Sequence, residues 1–323
     1  MAEYRIIKLS NLSPLHIGTG TENYYTSAAN LQSDTVSSAL AAVGIQSGIM
    51  KAEETLDFLN SFKISSAFPY CANNFFLPVS NGKIQLDNPD YEKKHRKELK
   101  KMKFLEAEDY FPDWAAGKKL KTKAVKDNNF ASGAQTSVAQ RVTIRDNRAT
   151  PFFFEWNFFE HNCGLYFIID CNKEKFDTVF ERFEILGEFG IGTDKNIGGG
   201  KFSPIKGELE LPDVKNPDAT MVLSSYIPTK DEFNQLNLEN SNYQLIKRGG
   251  FIAGSDNEDF RHLRKKPIYM FSAGSVFATT ESLVGKIENL APDKETLAPQ
   301  FKDMHPVYRS GRALTLKIKM QQQ

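Results

Sequence analysis

The stretch from Leu186 to Phe202 constrains this chain more than any other. Six glycines fall between positions 187 and 200, in company with Lys195 and Lys201. The segment before it, Glu174 to Leu186, sets Phe176, Val179, Phe180, Phe183 and Leu186 at helical spacing. Gly187 or Gly190 then ends that helix, since glycine takes the left-handed conformation a C-terminus needs, and Lys201–Phe202 begins a strand. A glycine-dense passage from helix to strand exposes backbone N–H groups and carries few side chains to hold a ligand off, an arrangement suited to phosphate. It is not a nucleoside triphosphate loop, because Lys201 precedes Phe202 and not Ser or Thr, and the direction is helix to strand. The dinucleotide pattern fails for want of strand–turn–helix context. Two readings stay open: a long loop without a ligand, and a cradle for a polyanion such as an RNA backbone.

Net charge decides how such a polyanion is met. At +1 the chain exerts no global pull on nucleic acid, so any RNA site comes from local clustering. One cluster is Tyr91 to Lys126, with twelve Lys/Arg against six Asp/Glu. It reads as helical over Tyr91–Leu105 and as either a solvated insertion or a basic arm on phosphates. A second is Gln135 to Thr150, where Arg141, Thr143 and Arg145 alternate so that one face of a hairpin presents both arginines, with Arg148 nearby. A third is Lys247-Arg248-Gly249-Gly250-Phe251: two cations, a tight turn and an aromatic able to stack on a base, or else a hairpin turn with Phe251 in the core.

Along the chain, Tyr4–Leu12 reads as a strand, Ser33 or Asp34 as the N-cap of a helix through Val43, and Ala52–Phe62 as a second helix. Phe152–Phe159 and Leu165–Asp170 are apolar strands about a turn, and the helix to Leu186 and the strand from Lys201 complete a β-α-β series. Pro204–Pro217 reads as a connector or the end of the first domain. Thr220–Tyr226, Tyr243–Ile252, Pro267–Phe271, Ser275–Thr279 and Ala313–Ile318 are further strands, with a short helix at Lys230–Leu236. The expected fold is α+β: two ferredoxin-like (RRM-type) domains, 1–210 and 211–323, the first with an inserted basic region at about 82–150, a thumb-like hairpin and the glycine-rich loop 187–200.

Cys71, Cys163 and Cys171 are odd in number and show no C-x-x-C pair, which predicts free thiols in a reducing cytosol and no zinc site. No signal peptide is evident and no apolar run approaches membrane-spanning length, so a cytoplasmic protein is expected. No H-E-x-x-H, aspartate-rich metal loop or paired Cys/His set occurs; no metal or cofactor is predicted. His16, beside Gly18 in the first loop, is the one histidine placed for acid chemistry on RNA, but no second histidine accompanies it. A contact to RNA or to the loop itself is the preferred role.

The glycine-rich loop resembles that of the repeat-associated mysterious proteins (RAMPs), RNA-binding subunits of CRISPR effector complexes. Further stretches carry the resemblance in order: Leu12-Ser13-Pro14-Leu15-His16-Ile17-Gly18, then Leu31 to Leu40, Ser65 to Pro69, Phe76-Leu77-Pro78, Lys247 to Phe251, and Phe271 to Phe277. As a set they are similar to the fourth-subunit family of type III-A complexes, over nearly the whole chain and least from Tyr91 to Gln135. The resemblance implies a non-catalytic scaffold that grips the repeat-derived 5′ handle of a crRNA and contacts the large polymerase/nuclease subunit and a backbone RAMP subunit. It also implies a thumb that kinks the RNA. The candidate RNA-binding residues are His16, Gly18, Arg141, Arg145, Arg148, Gly190, Gly192, Lys195, Asn196, Gly198, Gly199, Gly200, Lys201, Lys247, Arg248, Gly249, Gly250 and Phe251. The alternatives are a metal-independent RAMP endoribonuclease using His16, the equivalent type III-B subunit, and a subunit that only bridges proteins.

Overall fold

The computed structural model describes residues 2–18, 25–28, 30–80, 84–127, 133–145, 148–252, 258–293, 295, 297–301 and 303–320. Gly20, placed by the sequence in the first loop, lies outside them.

The first half runs β1 (Ala2–Ser10), α1 (Ser33–Gln46), α2 (Thr55–Asn60), β2 (Lys63–Ile64), β3 (Phe68–Cys71), β4 (Asn74–Pro78), α3 (Pro89–Lys94), α4 (Arg96–Lys101), β5 (Phe104–Glu106), α5 (Phe111–Ala115), α6 (Lys123–Asp127), β6 (Ala134–Arg145), β7 (Arg148–Phe159), β8 (Cys163–Asp170), α7 (Lys173–Phe189) and β9 (Ser203–Leu211). Its sheet has the order β5-β4-β3-β8-β1-β9, with β2 also on β8, and its ladders are antiparallel. Alternation along β1 decides the layering. Ile7 and Leu9, with Phe167 and Ile169 of β8, face the apolar stripes of α1 and α7; Ile6 and Ile168 face the other way. That other face is closed by Leu105, Phe111 and Trp114 of the inserted region and by Met221, Leu316 and Ile318 of the second half. Both faces of the sheet are therefore spent on the protein's own core.

The second half runs β10 (Ala219–Val222), α8 (Lys230–Gln235), β11 (Leu245–Arg248), β12 (Ile268–Phe271), β13 (Val276–Phe277), β14 (Gly285–Asn289), β15 (Tyr308–Arg312) and β16 (Thr315–Ile318). β10 lies between β13 and β16, while β11–β12 and β14–β15 are two-stranded ribbons. β14 and β15 are additions to the sequence reading. The chain is thus mixed α/β with antiparallel sheets.

Several expectations change. The basic region is not a solvated insertion: its described lysines are exposed, but Leu99, Leu105, Phe111, Trp114 and Leu120 are core. The helix expected over Tyr91–Leu105 breaks at His95 and stops at Met102, whose extended backbone lets Leu105 pair with Leu77 at the sheet edge. The expected connector from Pro204 is β9, paired with β1 along its whole length; Pro204 is tolerated because β9 is an edge strand. The residue at the N-cap of α1 is Gln32, not Ser33 or Asp34. Cys71 and Cys163, expected as free thiols, stand opposite each other on β3 and β8 and form a disulfide. The pairing joins positions 92 residues apart, which local spacing could not reveal. Cys171 is free, and partial burial pushes its thiol up to about 11. Among the described residues no helix is long and apolar enough to cross a membrane.

Candidate nucleic-acid interface

Strands β6 and β7, of twelve residues each, form a hairpin paired from Ala134↔Phe159 to Arg145↔Arg148. Its base is anchored to the first loop. Leu15 and Asn157 exchange backbone hydrogen bonds at 2.9 Å each way, and Ser27 N donates to Glu155 Oε2 at 2.5 Å. Its outer part stands clear of the body: Val142 is 58% and Ile144 73% exposed, and Arg148 is exposed at the end. Directly opposed residues share a face, so Arg141, Phe152, Phe154 and Trp156 line the face toward the glycine-rich loop, whereas Val138, Val142 and Phe153 line the other.

Arg141 does not project toward a ligand. Its guanidinium pairs with Asp194 of the glycine-rich loop and lies 4.3 Å from the Phe154 ring centre and 5.4 Å from that of Trp156. An arginine that combines an ion pair with stacking on two rings is a bolt between hairpin and loop. Arg145 lies in β6, its side chain outside the described residues.

The loop itself is less bare than its composition implies. α7 ends at Gly190, whose φ of 81° is the conformation that glycine permits. The amides of Gly190, Ile191, Thr193, Ile197, Gly198, Gly199 and Gly200 all donate to carbonyls within the chain, and that of Lys201 donates to Ser13 Oγ at 2.7 Å. Among the described residues of this loop, Gly192, Asp194, Lys195 and Asn196 keep unbonded amides. The glycines mainly admit close backbone approach: a Cβ on Gly192 would strike the His16 carbonyl, one on Gly200 the Ile191 carbonyl, and one on Gly199 would sit 2.9 Å from Trp156. The cradle expected across 190–200 contracts to its tip, Gly192–Asn196, where Lys195, Asn196 and Ile197 are exposed; Lys201 is exposed beside it.

His16 is 1% exposed. Its Nδ1 is 2.7 Å from the Glu155 carbonyl and its ring lies 4.3 Å from that of Phe154. The side chain belongs to the hairpin's footing and is walled off from RNA in either expected role, contact or acid. Gly18 is exposed, with open space around it.

Lys247 to Phe251 lie elsewhere, at the end of β11. Lys247 and Phe251 are exposed, and Phe251 is stacked by Arg264 at 4.8 Å. Arg248 is not free: its Nε donates to Asp34 Oδ2 at 2.9 Å and its Nη2 to Thr35 Oγ1 at 2.5 Å. Asp34 is fully buried and also accepts from Arg309 and, at 3.2 Å, from Ser225 Oγ. Burial alone would raise its carboxyl, but the two guanidinium groups outweigh burial and hold it below the usual value. The expected N-cap is thus an ionic joint between the halves, made with Arg309, a residue that no local motif marks. Lys265, partly buried close to the same two arginines, is pulled down to about 8.

The chain is similar to known proteins. A model of the CRISPR Csm4 C-terminal domain matches residues 215–318. A Csm4 protein of Mycobacterium tuberculosis (strain ATCC 25618 / H37Rv) is 24% identical over 301 residues, 93% of each chain, and one of Thermococcus onnurineus (strain NA1) is 26% identical over 252 residues, 75% of this chain and 78% of the relative. The chain is thus similar to Csm4 proteins along most of its length and carries the Csm4 C-terminal domain in its second half. Its fold matches Csm4-containing crystal structures: a Csm1–Csm4 cassette in complex with pppApA, at TM-score 0.63, 17% identity and 100% coverage of both chains, and a Csm3–Csm4 subcomplex of the type III-A CRISPR-Cas interference complex, at TM-score 0.58, 17% identity, 98% of this chain and 100% of the other. The Csm4 C-terminal match covers the half that holds Lys247–Phe251 and Arg309; the hairpin and glycine-rich loop lie outside it.

Proposed function

We propose that this protein is a non-catalytic subunit of a type III-A CRISPR complex that grips the repeat-derived 5′ handle of a crRNA. It joins the large polymerase/nuclease subunit to the first backbone RAMP subunit. The relatives that crystallise as a Csm1–Csm4 cassette and a Csm3–Csm4 subcomplex support the two protein contacts. On this reading the halves before and after about residue 210 are two ferredoxin-like domains, the second irregular, and the location is cytoplasmic.

The observation that carries the RNA reading is the braced hairpin. Arg141, His16 and Trp156 are committed inward, so the hairpin stands rigid on the loop while Arg148, Lys195 and Lys201 remain exposed around it. A sheet covered on both faces offers no open RRM surface, which turns RNA toward this edge. Cations there hold phosphate, and the free amides at Gly192–Asn196 add a small main-chain contribution. Cleavage through a 2′-hydroxyl needs an acid and a base at solvent, and a histidine 1% exposed against a carbonyl supplies neither.

The test is binding of a handle-bearing RNA to the full chain across a salt series. The Lys195→Ala/Lys201→Ala/Arg148→Ala triple variant should weaken binding and lower the slope of log K against log salt by about 2. An unchanged slope would favour the subunit that only bridges proteins. Incubation with repeat RNA in EDTA should leave it intact; cutting abolished by His16→Ala would restore the endoribonuclease reading.

A further inference from the structure

Cys71 ends β3 and Cys163 begins β8, directly opposite each other with Cα atoms 4.0 Å apart. The ladder continues on both sides of them: Tyr70 pairs with Gly164, and Ala72 N donates to the Asn162 carbonyl at 2.8 Å. The strand pairing that brings the two sulfurs together therefore does not depend on the bridge. Dithiol and disulfide share one register, so each form converts to the other without unfolding.

The bridge lies under the root of the hairpin. β7 ends at Phe159 and β8 begins at Cys163, whose amide donates to the Glu160 carbonyl at 3.0 Å, while the Glu160 amide donates to the Gly133 carbonyl at 2.7 Å. These two bonds close the hairpin where it leaves the sheet. Gly133, one residue before β6, is pressed on the bridge: a Cβ there would sit 2.5 Å from the Cys163 Cβ and 2.7 Å from its Sγ. Two thiols need more room than two bonded sulfurs, and Gly133 already closes on Cys163, so reduction loosens the hairpin's root first. The bond also joins positions 92 residues apart, so β4, the basic region and the hairpin form one closed loop only while it lasts.

The bridge is open to exchange from one side. Cys163 is 5% exposed, whereas Cys71 is partly exposed, and an exposed disulfide is the labile kind. Cys171 does not compete for either sulfur, because it follows the far end of the eight-residue β8. In the cytoplasmic location proposed above, a disulfide is typically a transient sensor and not a permanent strut.

We propose that Cys71 and Cys163 are a reversible redox staple that stiffens the root of the hairpin and is set by the small-thiol pool around the protein. A small thiolate attacks the Cys71 sulfur, and the Cys163 sulfur leaves as a thiolate and takes a proton. A second small thiolate then displaces Cys71 from the mixed disulfide, giving a protein dithiol and one small-molecule disulfide. The two small thiols supply both electrons, and a small disulfide as oxidant rebuilds the bridge by the reverse steps. The consequence for RNA rests on the RNA-binding reading above; the staple itself does not.

The test equilibrates the full chain in glutathione buffers from reduced to oxidised and counts bridged Cys71–Cys163 by differential alkylation and mass spectrometry. The pair should pass from mostly dithiol to mostly bridged across the series. A bridge that persists in reduced glutathione, or never forms in oxidised glutathione, overturns the proposal. Amide hydrogen exchange then compares the two forms. Residues 157–163 should exchange about tenfold faster when reduced, with 165–170 of β8 unchanged; equal rates at the root overturn the proposal too. Cys71→Ala/Cys163→Ala should exchange like the reduced form in either buffer, and Cys171→Ala should keep the full response. A response lost in Cys171→Ala assigns it to that cysteine and removes the staple. If the double variant fails to fold, the wild type in two buffers and Cys171→Ala still decide. Handle RNA should bind the reduced form about fivefold more weakly, because the hairpin is less pre-ordered; equal binding to both forms overturns the control of binding by the staple. If RNA binds neither form, the RNA reading falls and hydrogen exchange alone decides the staple.

Discussion

The loop after α7 and the turn after β11 look alike in sequence, glycines next to cations, yet they are built in opposite ways. In the loop most glycines face inward: Gly192 lies against the His16 carbonyl, Gly199 against Trp156 and Gly200 against the Ile191 carbonyl, while Gly198 has open space. In the turn a Cβ on Gly250 would meet nothing within 4 Å, and one on Gly249 would be 3.8 Å from Pro267. The cations differ in the reverse sense. Lys195 and Lys201 of the loop are exposed, whereas Arg248 of the turn is tied down by Asp34. Glycine count therefore reports close packing of the chain on itself as readily as room for a ligand, and only the neighbours distinguish the two.

The largest test of that contrast removes the anchor of the turn. Asp34→Ala leaves Arg248 and Arg309 buried without their carboxylate and should cost about 3–5 kcal/mol in urea unfolding. A loss under about 1 kcal/mol would mean the joint is not what fixes the turn. Next, Gly200→Ala should destabilise by about 3 kcal/mol, because it adds a carbonyl clash to an unfavourable φ of 67°. Gly250→Ala, at φ 96° in open space, should cost roughly 1–2 kcal/mol. Equal losses would erase the distinction. The two arginines of the hairpin sharpen it further. Arg148→Ala should lower the RNA salt slope by about 0.7 with stability changed by less than about 0.5 kcal/mol. Arg141→Ala should do the reverse, destabilising the hairpin footing with little change in slope. The smallest effect is in pH. Lys265 binds its proton less tightly in the folded chain, at about 8, than at its ordinary 10.5. Between those values the unfolded chain holds more protons, so stability gains from this group as pH rises through that window. The wild-type and Lys265→Met stability curves should converge from pH 8 toward 10; curves that stay parallel would show that Lys265 keeps its ordinary proton affinity in the folded chain.

Periodicity made the helices and most strands legible. The stripe from Phe176 to Leu186 is α7, and the alternation from Gln135 onward is the hairpin. Charge misled where apolar residues were sparse among lysines: Leu99, Leu105 and Trp114 make the basic region part of the core. The hairpin and loop were visible as motifs, but their junction was not. Arg141 looked like a ligand contact because its partner Asp194 lies 53 residues on and Trp156 across a turn. Asp34 looked like a cap because Arg309, 275 residues away, is invisible at local range. Pairing Cys71 with Cys163 failed for the same reason. Sequence reveals periodicity and turn chemistry; it does not reveal which distant side chain cancels a charge.

The placement of β1 sets an order of events during synthesis. It lies between β8 and β9, with Arg5 opposite Ile169 and Ala2 opposite Leu211, so its second ladder stays open on the ribosome until more than two hundred residues have emerged. At the usual pace of translation that is a wait of roughly 10–40 seconds. Over that interval Ile6, Ile7 and Leu9 are what a chaperone would hold, and slowing elongation past residue 211 should leave nascent chains prone to aggregate.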